Sequence, residues 1–217
     1  MKTIIQIVLW VACAGLAYAI YQSVTGPIEF NKVKEERYGQ VIAKLKDIRN
    51  AQEAYKTVNK KYAKDFNSLI KFIDTAEYTI TQQRDSSYME FDKTYQIDLL
   101  KEVKIIDTLG AVSVKDSLFK GDNRYKTLME VPFAQGGEKF EMKSDVLTKG
   151  SYKAPVFQAK VDKSVVLYDQ PETLLKKEKA EIGVEEVNGA FIEVGSLNEV
   201  STSGNWPPIY DKKGDEK

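Results

Sequence analysis

The chain opens with an apolar segment that is long enough for a membrane span. Residues 4–21 are apolar except for Gln6. As a helix, this segment measures about 27 Å, close to the thickness of the hydrocarbon core of a bilayer. A cleaved signal peptide is the alternative, with its cleavage site at residues 17–19. We expect an uncleaved transmembrane anchor over residues 1–25, because the apolar run continues beyond that site.

The flanks of this segment predict on which side of the membrane the rest of the chain lies. Lys2 and the N-terminal amine precede it, and Lys32, Lys34 and Arg37 follow it, so the positive-inside comparison is balanced. Long downstream domains translocate largely regardless of their charge. We therefore expect a single-pass protein with its N-terminus in the cytoplasm and its C-terminal domain on the far side of the membrane.

A second helical pattern follows the pair Gly26-Pro27, at which we expect the membrane helix to end, because proline cannot continue the helical hydrogen bonds. From about Asn31, apolar positions recur every three or four residues and form one stripe. The stripe comprises Tyr38, Val41, Leu45, Ile48, Gln52 and Tyr55. The opposite face carries Lys34, Glu35, Lys44, Lys46, Asp47 and Arg49. We expect the stripe to pack on its own domain; packing against a partner helix is the alternative.

A turn and a second short helix complete a helical stalk that we place at residues 26–76. Asn59 is a candidate for a left-handed position at the end of the first helix. Asp65 is a candidate N-cap for the second helix, and Tyr62 between them would anchor the turn with its ring.

From Tyr78 onward the period changes, and an antiparallel, β-rich domain is predicted over residues 77–200. The strongest alternation lies at 125–146, where two strands flank a turn at Gly136-Gly137. Residues 86–100 are ambiguous. Further strands are predicted at 78–83, 103–108, 111–119, 155–161 and 164–169.

The C-terminal part of the chain combines a short helix, a hairpin and a tail. The helix is predicted at 171–182 with Pro171 near its start, and the hairpin at 184–194 with a type I′ turn at residues 188–189. Residues 201–217 are expected to form an extended tail, mobile after Tyr210, in which Trp206 either pins the tail to the domain, as we expect, or presents it to a partner. Helices followed by strands make the predicted fold α+β.

The N-terminal part of the chain resembles type IV pilins and the pseudopilins of type II secretion. The resemblance covers roughly residues 1–73: an apolar helix, an amphipathic helix, a tyrosine-bearing loop and a short helix. Ala51, Tyr55, Tyr62 and Leu69 stand at family-like positions. The resemblance implies an antiparallel sheet packed on the helix and a role in a secretion or surface-assembly system.

The chain departs from that family at the processing site. No glycine precedes Ile4, and the span holds Gln6 rather than a glutamate, which argues against polymerisation into a typical pilus. The whole chain also resembles a family of single-pass bacterial envelope proteins to which no activity is assigned.

The composition excludes several classes of function. The 217 residues carry 32 basic and 32 acidic side chains, so we expect no basic surface for nucleic acid. Histidine is absent, which removes the commonest general base and metal ligand. The one cysteine, Cys13, lies within the apolar segment; a lipoprotein is a further alternative, although Trp10 stands where a lipobox has a small aliphatic residue.

The candidate catalytic and ligand-binding patterns are better explained by turns and surface positions. Gly136-Gly137 lacks the sequence context of a phosphate loop, residues 120–123 lack the ligand series of a calcium loop, and no carboxylate spacing indicates a glycosidase-like pair. Serines near lysines, which a Ser–Lys dyad needs, are Ser144, Ser151 and Ser164. We predict no catalytic residue, no cofactor and no metal site.

We therefore predict a non-catalytic envelope protein that acts through protein–protein contact, as a pseudopilin-like or accessory component of a secretion or surface-assembly system. With the resemblance, we place its anchor in a bacterial inner membrane and its C-terminal domain in the periplasm. One alternative is a membrane-tethered binding module for a small ligand or a cell-wall glycan, with tyrosines such as Tyr55, Tyr125 and Tyr152 lining a groove. Another is a hydrolase that uses a Ser–Lys dyad or a carboxylate pair.

Overall fold

The computed structural model describes residues 2–92, 97–150 and 152–212. Over these residues the fold is α+β, with helices and antiparallel sheets, as the order of the sequence patterns predicted. The chain divides into two compact units. One consists of Met1–Arg49 with Thr127–Lys217, called here the terminal unit, and the other is Asn50–Lys126, the central unit.

The first helix, α1, runs from Lys2 to Asn59 and contributes to both units. The prediction that Gly26-Pro27 ends the membrane helix is wrong, because Pro27 lies inside α1. A proline removes one backbone hydrogen bond. The helix continues past Pro27 because a helix that is already formed gains one hydrogen bond with each residue added. Side chains at residues 3–24 are exposed, and burial along α1 begins at Phe30.

The predicted stripe on α1 is buried, which confirms that it packs within the protein itself. Its fully buried members are Tyr38, Val41, Leu45, Ile48 and Gln52, each at 0% exposure. Apolar side chains at helical spacing lose their contact with water together when one face of the helix packs, which is the source of their stabilising effect.

The turn between the first two helices follows the predicted capping pattern with one shift. The left-handed residue is Lys60, with φ of 60°, and not Asn59, which is the last residue of α1. Helix α2 is Phe66–Thr75, and its N-cap is Asp65, as predicted: the carboxylate accepts a hydrogen bond from the Ser68 N–H at 2.7 Å.

The central unit continues with a long hairpin. Strand β1 is Glu77–Asp92 and strand β2 is Ile97–Ser113, paired antiparallel along their whole length. The strands predicted at 78–83 and 103–108 are confirmed, and the ambiguous residues 86–100 are strand wherever the structure describes them. The prediction at 111–119 is partly wrong, because helix α3 begins at Val114 and ends at Phe119.

The hairpin predicted at 125–146 is half right. Its second strand is confirmed, because Glu141–Lys149 is a strand, but its first strand is wrong. Asn123–Thr127 form a 3₁₀ helix, and Glu130 and Lys139 form an isolated bridge. The expected turn is present, since Gly136 and Gly137 both have positive φ. Buried side chains in this segment recur every three residues, as 3₁₀ turns allow, rather than every two. They are Tyr125, Leu128 and Val131.

The sheet of the terminal unit has three antiparallel strands in the order β3-β4-β5. They are β3 (Glu141–Lys149), β4 (Tyr152–Asp162) and β5 (Phe191–Gly195). The strand predicted at 155–161 is confirmed within β4. In the hairpin predicted at 184–194, only residues from Phe191 onward form a strand, and this strand pairs with β4.

Two short helices connect β4 to β5. The strand predicted at 164–169 is wrong: helix α4 is Lys163–Val166, and the Asp162 carboxylate caps it. Helix α5 is Glu172–Ala180, which confirms the predicted helix, with Pro171 at its N-cap. The turn at 188–189 has positive φ at the glycine alone, so it is not the predicted type I′ turn.

The C-terminal segment folds back onto the terminal unit instead of extending from it. Gly204 forms an isolated bridge with Val194, and Trp206 is 8% exposed, which confirms that Trp206 pins this segment. A last short helix, α6, is Ile209–Lys212. The predicted mobility after Tyr210 concerns mainly residues 213–217, which lie outside the described residues.

Candidate functional site

Two lysines and a glutamate meet in the interior of the terminal unit. Glu178 on α5 lies between Lys34 on α1 and Lys163 on α4. Its Oε2 is 3.0 Å from the Lys34 Nζ, and its Oε1 is 2.9 Å from the Lys163 Nζ. The three side chains are 5%, 8% and 0% exposed, respectively. They are called here the buried charge cluster.

Each side-chain nitrogen and oxygen of this cluster has at least one hydrogen-bond partner. The Lys163 Nζ also donates to the carbonyl oxygens of Glu178 and Val187, at 2.8 and 2.7 Å. The Tyr38 hydroxyl donates to the Glu178 carboxylate at 3.2 Å. Among the described residues, no buried side-chain nitrogen or oxygen lacks a partner. Buried charges need such pairing, and here it ties α1 to α4 and α5.

Burial acts differently on the two lysines. Burial alone would lower the pKa of Lys34, but its hydrogen bonds to Glu186 and Glu178 outweigh this and raise the pKa above its usual value. Burial lowers the pKa of Lys163, and the Glu178 carboxylate offsets this only in part. Burial also raises the pKa of Tyr38, and the negative Glu178 reinforces the effect.

Sequence reasoning placed Lys34 on the exposed face of α1, and the structure corrects this. Lys34 stands four residues before Tyr38, so the two side chains lie on the same face of the helix. That face is the stripe, which therefore begins one turn earlier than predicted. The spacing of Lys34 and Tyr38 could have predicted that Lys34 is buried. No local pattern could have predicted the burial of Lys163 and Glu178, because only the tertiary fold brings them together.

A cleft lies beside Lys34 on the surface of the terminal unit, with a volume of about 460 Å³. Three segments line it: residues 31–35 of α1, residues 184–186 and residues 207–210. Its charged residues are Lys34, Glu35, Glu185 and Glu186, an excess of negative charge. Burial raises the pKa of Tyr210, which also lines it, to about 12.

The lysines at this cleft are held in ion pairs. Lys34 is its one cation and is held by two carboxylates, and Lys163 is fully enclosed behind it. The candidate serines do not contribute: Ser144 lies on β3 and Ser164 in α4, neither of them in the lining, and Ser151 lies outside the described residues. The described residues therefore bring neither Ser144 nor Ser164 into the lining of this cleft.

The other predicted candidates have structural roles. Residues 120–121 form a left-handed turn after α3, with φ of 52° and 80°. Within the described ranges, no group of three His, Cys, Asp or Glu residues could hold a metal ion. Tyr55 packs edge-on against Phe72, and the buried Tyr125 donates its hydroxyl hydrogen to Asp74. Tyr152 is 63% exposed.

The β1–β2 hairpin is a second candidate, as a contact surface. Its strands have 16 and 17 residues, about three times the usual strand length. Antiparallel register places Met89 opposite Leu100, and both side chains are exposed. The exposed large apolar residues of the hairpin are Tyr88, Met89, Phe91, Ile97, Leu100, Val103, Ile106 and Val112. Exposed apolar patches of this kind mark interaction sites.

The N-terminal part of α1 is long and apolar enough to cross a membrane, by length and composition, and it is not buried within the protein. The apolar segment of a signal sequence has the same profile. No protein-family model, no curated protein and no solved structure matches the chain.

Proposed function

We propose that the protein is anchored in a bacterial inner membrane and acts, without catalysis, through contact with other envelope proteins. The observation that carries this proposal is the β1–β2 hairpin, which exposes large apolar side chains on both faces. A two-stranded hairpin is marginally stable by itself in water. A partner that covers these side chains would remove their contact with water and stabilise the hairpin.

The anchor in this proposal is the exposed apolar part of α1. Because α1 continues through Pro27, the anchor and the folded terminal unit share one helix. The shared helix would hold the terminal unit at a fixed distance from the membrane. We place the domain on the periplasmic side, since a long domain after a short N-terminal flank translocates largely regardless of charge. The resemblance to pseudopilins makes a secretion or surface-assembly system the context that we propose.

Mass spectrometry of the protein extracted from its own membranes tests the anchor. A protein that has an intact N-terminus and stays in the membrane fraction after washing at alkaline pH supports a transmembrane span. A chain cut after Ala19 and recovered in the soluble fraction rejects it.

Site-specific photo-crosslinking in intact cells tests the contact surface. A photoreactive residue at Met89 or Leu100, which lie on the same face of the hairpin, should give the same adduct with another envelope protein. The matched control is exposed Gln40 on α1, which should not give that adduct. Adducts at all three positions alike, or at none, would reject the hairpin as the contact surface.

To test whether apolar contact, and not mere proximity, holds the partner at the hairpin, the same crosslink is measured in the variants Phe91→Ser and Ile106→Ser. Both residues are exposed, at 57% and 63%, so their loss should not affect folding of the isolated chain. The adduct from Met89 should decrease strongly if apolar contact holds the partner. An unchanged adduct would show that apolar contact does not hold it.

The cleft beside Lys34 favours a second candidate function, a membrane-tethered binding module. Its volume suits a small ligand, and its acidic residues suit a cationic group such as an amino sugar. A ligand that binds only the folded state raises the melting temperature, and above its Kd the stabilisation grows with the logarithm of its concentration. Titration with amino-sugar glycans should show this, and it should be lost in Glu185→Gln; a melting temperature that no glycan changes rejects this function.

A further inference from the structure

The outer edge of strand β2 has no strand beside it in the part of the chain that the structure describes. β2 pairs with β1 on one side only, in a two-stranded sheet. Its other edge therefore presents a row of backbone N–H and C=O groups, which is a template for pairing with a further strand. The regular part of this edge runs from Ile97 to Thr108, because the register with β1 shifts after Thr108.

A second copy of the chain can pair antiparallel with this edge only in certain registers. The two copies would be related by a two-fold axis, the commonest symmetry of a homodimer, and this axis would stand perpendicular to the sheet. Such an axis keeps the two faces of the sheet apart. The residue on the axis therefore lies opposite its own copy, and residues equally far from it on either side lie opposite each other.

Val103 lies near the middle of the regular edge and is suited to the axis. With Val103 opposite its copy, Glu102 lies opposite Lys104 of the second copy, and the same pair recurs on the other side of the axis. Opposite charges on directly opposed residues stabilise a strand pair. Moving the axis by one residue in either direction places Glu102 or Lys104 opposite its own copy, which is repulsive. The charges thus select Val103.

The same register brings apolar side chains together on the face that carries these charges. Leu100 lies opposite Ile106 of the second copy, again twice by symmetry. Both side chains are exposed in the single chain, at 60% and 63%. Within the hairpin Met89 lies opposite Leu100. A row of three apolar side chains would therefore cross the boundary between the two chains and lose part of its contact with water.

Other charged residues of β2 are already paired within the hairpin. Lys101 and Asp107 bind charged residues of β1, at 2.5 and 3.0 Å between nitrogen and oxygen. Within the described ranges, neither Glu102 nor Lys104 forms an ion pair. These two charges are therefore available for a contact between chains.

The outer edge of β1 is less suited to such a contact. The register that pairs Arg84 with Glu90 of a second copy places Met89 opposite a carboxylate, so apolar contact is lost where charge is paired. Both of these charged residues are also bound to β2 in their own hairpin. Charge complementarity between two copies therefore favours the edge of β2.

We propose that two copies of the chain associate through the outer edges of their β2 strands, antiparallel and centred on Val103, in one four-stranded sheet. A two-stranded hairpin is marginal in water, and additional strands with an apolar face stabilise it. This contact uses the edge of the hairpin, whereas the function proposed above uses its faces. Either contact can therefore exist without the other.

Disulfide formation in the full chain tests this contact. In a Cys13→Ala background, Val103→Cys places two thiols opposite each other, with Cβ atoms about 4.5–5.5 Å apart. Mild oxidation in the native membranes should then give a disulfide-linked dimer of the chain. The matched control is Val112→Cys on the same strand, since the two valines are 40% and 37% exposed. Position 112 and its copy would be roughly 60 Å apart, so this variant should remain monomeric.

Charge reversal tests the register. Glu102→Lys makes both pairs between the chains repulsive, and we expect the dissociation constant of the dimer to rise about tenfold. Lys104→Glu should have the same effect. The double variant Glu102→Lys/Lys104→Glu restores opposite charges and should restore association. Sedimentation of the full chain in detergent measures these changes, and because both side chains are exposed, the reversals should not affect folding.

Equal disulfide yields from Val103→Cys and Val112→Cys would overturn the proposal. A dimer that the single charge reversals leave unchanged would overturn it too, as would a double variant that associates as weakly as the single ones. The outcome also stays distinct from that of the photo-crosslinking described above. A dimer without an adduct to another envelope protein supports the β2 contact and counts against the proposed function, and an adduct without a dimer does the reverse.

Discussion

The Lys163 ammonium lies 2.9 Å from the Glu178 carboxylate in the interior of the terminal unit, where the two side chains are 0% and 5% exposed. Lys34 binds the other oxygen of the same carboxylate. One buried anion therefore serves two buried cations, and the helices that carry them depend on it.

Removing the charge of Glu178 should destabilise the terminal unit strongly. Glu178→Gln leaves two buried lysines without their shared anion, and breaking a buried ion pair in this way costs about 3–5 kcal/mol. Urea unfolding of the full chain in detergent measures the change, followed by the fluorescence of buried Trp206 in a Trp10→Phe background. The matched control is Glu172→Gln on the same helix, where the side chain is 77% exposed and the expected change is below about 0.5 kcal/mol. Equal effects in both variants would contradict this account of the cluster.

The Arg37–Asp169 pair should contribute to stability only above the acid range. Arg37 forms two hydrogen bonds with Asp169, at 2.6 and 2.8 Å, and lowers the pKa of Asp169 from 3.8 to about 2. The folded state therefore binds this proton less readily than the unfolded state does. The stabilisation is present above pH 3.8 and is lost as the pH falls towards about 2.

Asp169→Asn should accordingly lower stability at neutral pH and make the loss of stability in acid less steep. Because Asp169 is 41% exposed, water screens the pair, and we expect a cost of about 0.5–1 kcal/mol. Stability curves between pH 2 and 7 measure it. A variant with an acid profile identical to that of the unchanged protein would show that the pair has no such role.

Gln52 should hold the turn between α1 and α2 in the central unit. Its amide nitrogen donates to the Ala63 carbonyl at 3.1 Å, and its oxygen accepts from the Ala63 N–H at 2.8 Å. Gln52→Ala leaves both buried backbone groups unsatisfied, at a cost of about 1–3 kcal/mol. Hydrogen exchange should show lost protection of the Ala63 amide, whereas exposed Gln40→Ala should leave it protected. Retained protection in Gln52→Ala would contradict the prediction.

Gly195 should not tolerate a side chain. Its φ is 76°, and an added Cβ would collide with the carbonyl oxygen of Phe157 on β4. We expect Gly195→Ala to cost more than the 1–3 kcal/mol of backbone strain alone. Gly39→Ala is the opposite case, because a Cβ there meets no atom within 4 Å and the site is helical. It should stabilise the chain by about 0.5–1 kcal/mol; the same unfolding assay compares the two variants, and equal effects would refute the argument.

Local signals in the sequence determined the buried face of α1 and the start of α2. The stripe from Tyr38 to Gln52 and the Asp65 cap could be predicted because helical spacing and capping depend on residues three or four positions apart. The apolar composition of residues 4–21 likewise marks a helix long enough to cross a membrane without reference to the rest of the chain.

Tertiary structure decided most of the β part. Val114–Phe119 and Lys163–Val166 contain strand-favouring residues but form helices, because β propensity reflects the neighbours that a side chain packs against. Phe191–Gly195 pairs with β4 instead of with the residues before its turn, and a local pattern cannot choose between such partners.

The candidate sites depended on tertiary structure for the same reason. Lys34, Lys163 and Glu178 are separated by up to 144 residues, and each is an ordinary polar residue in its own segment. A charge can be buried only where a partner meets it. The sequence alone therefore determined an apolar helix and an α+β order of elements, while the fold decided which charges are buried and which aliphatic side chains remain exposed.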